Sequence, residues 1–460
     1  MKRIIKRLET FFKIKERGTT IFGEIIAGVI VFFAILYAIP VNVSILGITG
    51  MSDAAIFTTI AIASGIATLL LGIITNYPIV LSAGLGMNAF FAFTIYDKLK
   101  YTWQEGLTII LISSFVFFIL SISGLRRKII NAIPHDLKYA ISSGLGFFIA
   151  FIGLKMGGII ESSPSSLVKL GDLSNPVVLL ALFGIVLAFS LSSLKSRVNK
   201  FAIVISMVIT AAVGYLLHLL GVPNMPAFAV DSKITLAETA GVAYFNFPAV
   251  LANPKTYAII FSVVFVQLFD ATATLVAVGH DIGLIDQSGK INSKSKVMVV
   301  DSLGALIGNS LGATSVTPLA ETTIGIDNGA KTGLTSVVIG ILFILTLVAY
   351  PVFSIFSSIK INNDYFTPVT SMALVSVGAL LFSNVQHINW QDKIAVTTTF
   401  MIIIMMVLTS SISEGLGIGL IFYCIMMLVA KRGKEINPIL YGISLFYIVS
   451  FAVDILVMRI

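Results

Sequence analysis

Two carboxylates stand where a hydrocarbon environment should disfavour them. Asp270 lies in the middle of the apolar run FSVVFVQLFDATATLVAV, with Gln267 at i−3 and Thr274 at i+4 on the same helical face. Glu321 lies in ATSVTPLAETTIGIDNGAKTGL, a polar, Gly-containing stretch set among apolar ones and broken by Pro318. A carboxylate in hydrocarbon is costly in its charged form, and inside membranes such groups mark ion or substrate pathways. Both are therefore candidates for accepting ligand N–H groups and for carrying a proton. The bland alternative for each is a structural hydrogen bond to a neighbouring helix.

The stretch around Glu321 reads as extended backbone over 315–318, then a half-helix opening near Leu319. Proline near a first helical turn gives up no needed N–H. Such a half-helix would aim free N–H groups and positive partial charge at the membrane interior from near Ala320. A second interrupted stretch, NYPIVLSAGLGMNAFFAF, occupies residues 76–93. Gly84 and Gly86 would let backbone approach a ligand closely. Asn88 offers a donor and an acceptor to the edge of a planar heterocycle, and Phe90 or Phe91 a face for stacking. The alternatives are packing glycines, an interhelical Asn bond and lipid-facing rings. Other ionisable groups need no such role. Glu24 is expected to pair with a loop base, Asp301 to cap a helix or bond between helices, and Asp327, Lys331, Glu414 and Asp454 to sit at interfaces or caps. The four histidines fall in or beside loops and receive no relay role.

These residues need a membrane to make sense, and composition supplies it. The 460 residues are 57% hydrophobic and only 11% charged, where a soluble domain is nearer a quarter charged. The net charge of +8 is read as loop Lys and Arg rather than nucleic-acid binding. The lone Cys424 excludes an intramolecular disulfide framework and a Cys-based zinc site. No HExxH, P-loop, paired-His or GxGD pattern is present, so neither an enzyme nor an ATP-driven pump is expected, and no cofactor or metal.

Apolar segments fall at 21–39, 55–75, 78–95, 106–124, 137–160, 176–194 and 201–220, then at 257–278, 297–311, 316–326, 334–359, 367–382, 395–410 and 412–430. That is fourteen, each near bilayer length or shorter where broken. A fifteenth run, 438–458, is left open between crossing and peripheral packing. Basic clusters at 126–128, 195–200, 290–296 and 431–434 fall on the same side as the basic arm 1–20, which predicts a cytoplasmic N-terminus. The polar connection 221–254 divides a first repeat, 21–220, from a second, 255–430; a basic loop and the terminal run occupy 431–460. In each half the third segment is the broken one. Paired broken segments at corresponding positions point to an inverted-repeat transporter and to its binding site. The predicted fold is thus an all-α polytopic membrane protein of seven plus seven inverted segments.

FFKIKERGTTIFGEIIAGVIVFF, NYPIVLSAGLGMNAFFAF, RRKIINAIPHDLKYAISSGLGFFIAFIGLKMGGII, LVKLGDLSNPVVLLALFG, LFDATATL, GLIDQSGKI and GAKTGLTSVV together resemble the adenine/guanine/hypoxanthine permeases. These are the AzgA-like branch of the nucleobase–cation symporter-2 (nucleobase–ascorbate) superfamily. The likeness runs from about Phe11 to Ala430. It implies a core domain of spans 1–4 and 8–11, a gate domain of spans 5–7 and 12–14, elevator-like sliding, and proton-driven purine uptake, often by a dimer. Residue by residue, the family's third-span Asn falls on Asn88, its eighth-span Asp on Asp270, the Thr one turn on at Thr274, and its tenth-span acid on Glu321. Departures cluster near the same place. Ala271 and Ala273 replace Thr and Gly, Gln267 stands where an acid is frequent, TPLAE replaces TYIES, and LYAIPVNVSIL moves a proline to Pro40.

The expectation is a purine nucleobase:proton symporter of the cytoplasmic membrane. Asp270 and Glu321 would bind ring N–H groups and one of them would carry the proton. Asn88 would orient the base, with Thr274, Gly86, Ala320 and Phe90 beside it. Rival substrates on the same fold are uracil, xanthine or an inorganic anion. Two buried carboxylates argue against the anion, because like charges repel. A channel, the rival of another class, would show non-saturating flux.

Overall fold

The computed structural model describes residues 2–457 except 164, 229–233, 237, 280–281, 283, 285–295 and 362–363. The loop bases Lys290 and Lys294, His280 and most of the GLIDQSGKI motif lie outside the described residues, as does the side chain of Ala273.

Uninterrupted apolar runs give long helices, because backbone in lipid must satisfy its own hydrogen bonds. Among the described residues, seven helices are long and apolar enough to cross a membrane, including Asp53–Thr75, Trp103–Ile122 and His135–Met156. The first segment runs further than its hydropathy suggests, through Ile21–Gly47. It bends between Ile35 and Ala38, just ahead of Pro40, which has no N–H to donate back along the helix. That bend brings Tyr37 and Asn42 into the interior, both essentially inaccessible.

The helices sort into two bundles. Ile21–Ile35, Asp53–Thr75, Trp103–Ile122, Lys255–Gly279, Val297–Leu311 and Gly333–Leu345 pack among themselves. His135–Met156, Pro176–Ser192, Ala202–Leu219, Ser371–Phe382, Lys393–Leu408 and Ile412–Val429 form the other. Close helix crossings rest on small residues: Gly146 in one helix meets the backbone of Gly378 in another, where an added Cβ would lie 2.5 Å from a carbonyl oxygen. Two short hairpins, strands Ile160–Ser163 with Leu167–Leu170 and Ile359–Ile361 with Asp364–Phe366, join segments outside the bundles. The terminal run forms helix Pro438–Val457, which packs on Ile412–Val429 and sets Phe446 and Tyr447 against Phe261 and Phe265.

The two broken segments meet. Leu81–Ala83 pairs antiparallel with Val316–Pro318, in the register Leu81 to Pro318, Ser82 to Thr317 and Ala83 to Val316. Gly84 N–H donates to Ser315 O at 3.0 Å and Leu319 N–H to Val80 O at 3.1 Å, extending the ladder at both ends. Each strand then turns into a short helix, Leu85–Ala89 continuing as a π-helix over Phe90–Lys98, and Thr322–Asp327. The third segment of one half therefore crosses the third segment of the other in opposite senses, as an inverted repeat requires.

Two sequence expectations change. Arg126, grouped with loop bases, is fully buried: its guanidinium pairs with Asp301 at 2.7 Å, donates to Met298 O at 2.9 Å and lies 4.4 Å over the Phe117 ring. A charge so buried is tolerated only with such partners. Glu24 accepts from the Lys331 and Thr332 backbone N–H groups and the Thr335 hydroxyl, rather than pairing with a base. Breaking a buried ion pair by removing one partner costs about 3–5 kcal/mol. Arg126→Met should therefore lower the melting temperature of the detergent-solubilised protein substantially, and Arg126→Met with Asp301→Leu should regain most of the loss. An unchanged melting temperature in the single variant would show that the pair holds nothing together.

Candidate functional site

The crossing strands leave no loose backbone. Thr68 Oγ1 donates to Leu81 O at 2.8 Å and accepts from Leu81 N–H at 3.0 Å. Ser336 Oγ donates to Tyr77 O and Ile79 O, Val80 N–H donates to Thr322 Oγ1, and Ser64 Oγ bonds Ser82 Oγ. What remains at the crossing is free to face a ligand. Leu85–Ala89 makes its first backward bond from Asn88 N–H to Gly84 O, so the amides of residues 85–87 precede any intrahelical acceptor.

Asp270 reaches this point from helix Lys255–Gly279. Its Oδ2 accepts from Thr317 Oγ1 at 3.3 Å. An added Cβ at Gly84 would sit 2.8 Å from the same Oδ2 and 2.7 Å from Thr317 Oγ1. Only glycine lets the carboxylate close on the mouth of the half-helix. Glu321 occupies the N-cap position of Thr322–Asp327 yet makes no side-chain cap bond there. It accepts instead a short hydrogen bond from the Tyr37 hydroxyl.

Accessibility divides the predicted residues. Asp270, Thr274, Leu319, Ala320 and Glu321 are only partly buried, while Leu268, Ala271, Leu275, Val316 and Thr322 around them are closed off. A polar strip in the middle of two membrane helices thus lines a crevice. Gly86, Asn88 and Phe90 lie behind it, fully buried. Gly86 packs on the other bundle, where an added Cβ would meet Leu145 Cδ1 at 2.9 Å. Phe90 sits in the apolar interior at 1% exposure. Asn88 Nδ2 donates to Asn42 Oδ1, and Asn42 Nδ2 donates to Ala83 O at 2.9 Å. The Asn88 side chain is therefore held from behind, and its Oδ1 has no hydrogen-bond partner among the described residues.

Tyr37, Asn42 and Thr317 complete the site and were not singled out by sequence. The signal existed: a Tyr and an Asn five residues apart in an apolar run are polar groups that need partners. Gln267 turns the other way. Its Nε2 donates to Ser114 Oγ at 2.6 Å, and Asn309 Nδ2 donates to the same hydroxyl, a network that ties three helices behind the site. The chemistry on offer is a pair of carboxylate acceptors, hydroxyls from Thr317 and Tyr37, and half-helix amides as donors. That set suits a small planar molecule carrying both N–H donors and ring acceptors.

Comparison with known proteins bears on this set. The permease family profile, Xan_ur_permease, matches residues 22–418. The guanine/hypoxanthine permease PbuG of Bacillus subtilis is 36% identical over 453 residues, covering 96% of this chain and 99% of that protein. The adenine permease AdeP of Escherichia coli is 33% identical, covering 96% of this chain and 95% of that protein. Among solved structures, the transmembrane domain of the cyanobacterial bicarbonate transporter BicA superposes with a TM-score of 0.60 at 16% identity, over 85% of this chain and 96% of that one. Murine Slc26a9, an anion transporter in the inward-facing state, gives 0.60 at 11% identity, over 89% of this chain and 68% of that one. These last two share the seven-plus-seven inverted-repeat fold and no more. The chain is a multi-pass membrane transporter, not an enzyme, and it belongs to the permease family.

Proposed function

We propose that this chain carries purine nucleobases (hypoxanthine, guanine or adenine) into the cell by symport with protons, across a cytoplasmic membrane with its N-terminus inside. The observation that carries the reading is the meeting of Asp270 and Glu321 at the crossed half-helices, in a chain 36% identical to a guanine/hypoxanthine permease over almost its whole length. A purine ring offers N–H groups to two carboxylates and ring nitrogens to the half-helix amides near Gly86 and Ala320. Asn88 and Thr274 would hold its orientation, with Phe90 as backing. An inorganic anion fits poorly between two acids, although the fold is shared with anion carriers.

Coupling follows from where the acids sit. A carboxylate in the crevice pays a desolvation cost when charged, so a proton arriving with the substrate is favoured over the bare anion. Alternating access is assigned to sliding of the bundle that holds both broken segments against the other. Support comes from the nature of their contact: the Gly86–Leu145 packing and a few polar bonds, such as Thr370 Oγ1 to Ser44 Oγ at 3.0 Å and Lys98 Nζ to Glu414 at 2.6 Å.

The primary test is uptake of radiolabelled hypoxanthine, guanine, adenine and uracil into cells lacking nucleobase carriers, with and without a protonophore. Saturable, protonophore-sensitive purine uptake is expected; uptake of uracil alone would overturn the substrate. Asp270→Asn should abolish accumulation against a gradient, and a wild-type accumulation ratio would remove Asp270 from the coupling path. Tyr37→Phe deletes the hydroxyl that Glu321 holds. Losing a hydrogen bond to a charged group costs about 1.5–3 kcal/mol, roughly a tenfold to hundredfold change. The apparent affinity for the base should shift by about that factor with expression intact, and unchanged affinity would show that Tyr37 does not position Glu321.

A further inference from the structure

The ten-residue helix Lys2–Phe11 precedes the first membrane segment. Its Ile5, Leu8 and Phe11 recur at threes and form one stripe, and Arg3, Lys6, Arg7 and Thr10 form the opposite one. Leu8 turns inward onto a small cluster of Phe12, Ile14 and Leu334. Ile5 and Phe11 do not: they are 43% and 57% exposed, beside a chain segment about to enter lipid. Arg3, Lys6 and Arg7 are all exposed, and no ion pair among the described residues engages them.

The stretch after this helix is bolted down. Arg17 Nη1 donates to Asn76 O at 2.8 Å and to Lys331 O at 2.7 Å, and its guanidinium lies 5.4 Å over the Tyr77 ring. Asn76 Nδ2 donates to Phe12 O at 2.9 Å while its Oδ1 accepts from Gly333 N–H at 2.8 Å. Lys331 Nζ returns to Gly18 O at 3.2 Å. These partners lie at the entry to the first broken segment and at the exit from the second. The arm is thus fastened to the bundle that holds the site, and its helix is held with apolar side chains on one face and bases on the other.

We propose that helix Lys2–Phe11 is a membrane-surface element. It lies in the headgroup layer of the adjacent leaflet with Ile5 and Phe11 inserted and Arg3, Lys6 and Arg7 binding anionic lipid. Charge complementarity commits the partner to an anionic surface, and continuity with the first membrane segment commits it to the leaflet on that side. Through Arg17 and Asn76, lipid bound there sets the height of the site-bearing bundle in the bilayer. This assignment does not depend on which molecule is transported.

Hydrogen exchange of the full-length protein tests it, in nanodiscs of phosphatidylcholine alone and of phosphatidylcholine with phosphatidylglycerol. A basic residue at an anionic surface is worth a factor of about five in the binding equilibrium, so three give on the order of a hundredfold. Amides of residues 5–11 should exchange more slowly by up to that factor with phosphatidylglycerol. The protection should fade as salt rises, and should be absent in Arg3→Gln/Lys6→Gln/Arg7→Gln. Inorganic phosphate added to phosphatidylcholine discs should not reproduce it; if it does, the site is one for free phosphate and the lipid assignment fails. Equal exchange in the two lipids, or protection that ignores salt, would overturn the proposal. The salt series uses the unaltered chain, and amides of Asp53–Thr75 report on the folding of the variant.

Discussion

Unpaired backbone has no place in hydrocarbon, and the whole interior follows from how this chain meets that constraint. Two segments abandon helix at mid-depth, and each supplies the hydrogen bonds that the other lacks. Pro318 suits the end of such a strand because its missing N–H removes a donor that would need a partner. Side chains finish the satisfaction: Thr68, Ser336 and Thr322 each reach a main-chain group of the third segment. Once the strands are paired, both half-helices must open at the same point, and their unbonded amides converge there.

The acids are consequences of that point. Half-helix amides carry partial positive charge, so carboxylates nearby are less costly than elsewhere in the membrane. Asp270 arrives from a helix of the second half and Tyr37 from the bend in the first, so neither repeat builds the site alone. The glycine at position 84 is required by the approach of a carboxylate oxygen, not by its backbone angles, which are ordinary at φ −73 and ψ 124. Stability is placed elsewhere, in the Arg126–Asp301 pair and the Gln267–Ser114–Asn309 network, which leaves the accessible strip free of structural duty.

Much of this was legible beforehand because the relevant signals are local. Gly84, Gly86 and Pro318 interrupt apolar runs, and Asp270, Glu321 and Asn88 are polar groups where only function or pairing keeps them. What was not legible is non-local. Nothing in residues 81–83 names 316–318 as partner, and Tyr37 falls at the edge of a run that hydropathy ends near 39 but that continues to Gly47. Arg126 read as a loop base because its partner, Asp301, is 175 residues away. Gln267 shares a helical face with Asp270, yet the boundary between packed and accessible surface falls between them, and only the neighbouring helices set that boundary.

The central claim is that a purine binds between Asp270 and Glu321 at the crossing of the half-helices. Equilibrium binding of tritiated hypoxanthine, guanine and adenine to the purified protein, beside Glu321→Gln, tests it most directly. Saturable binding of at least one purine, displaced by unlabelled base and lost in the variant, is the predicted result. Full-affinity purine binding to Glu321→Gln, or no purine binding by a well-folded protein, would contradict it.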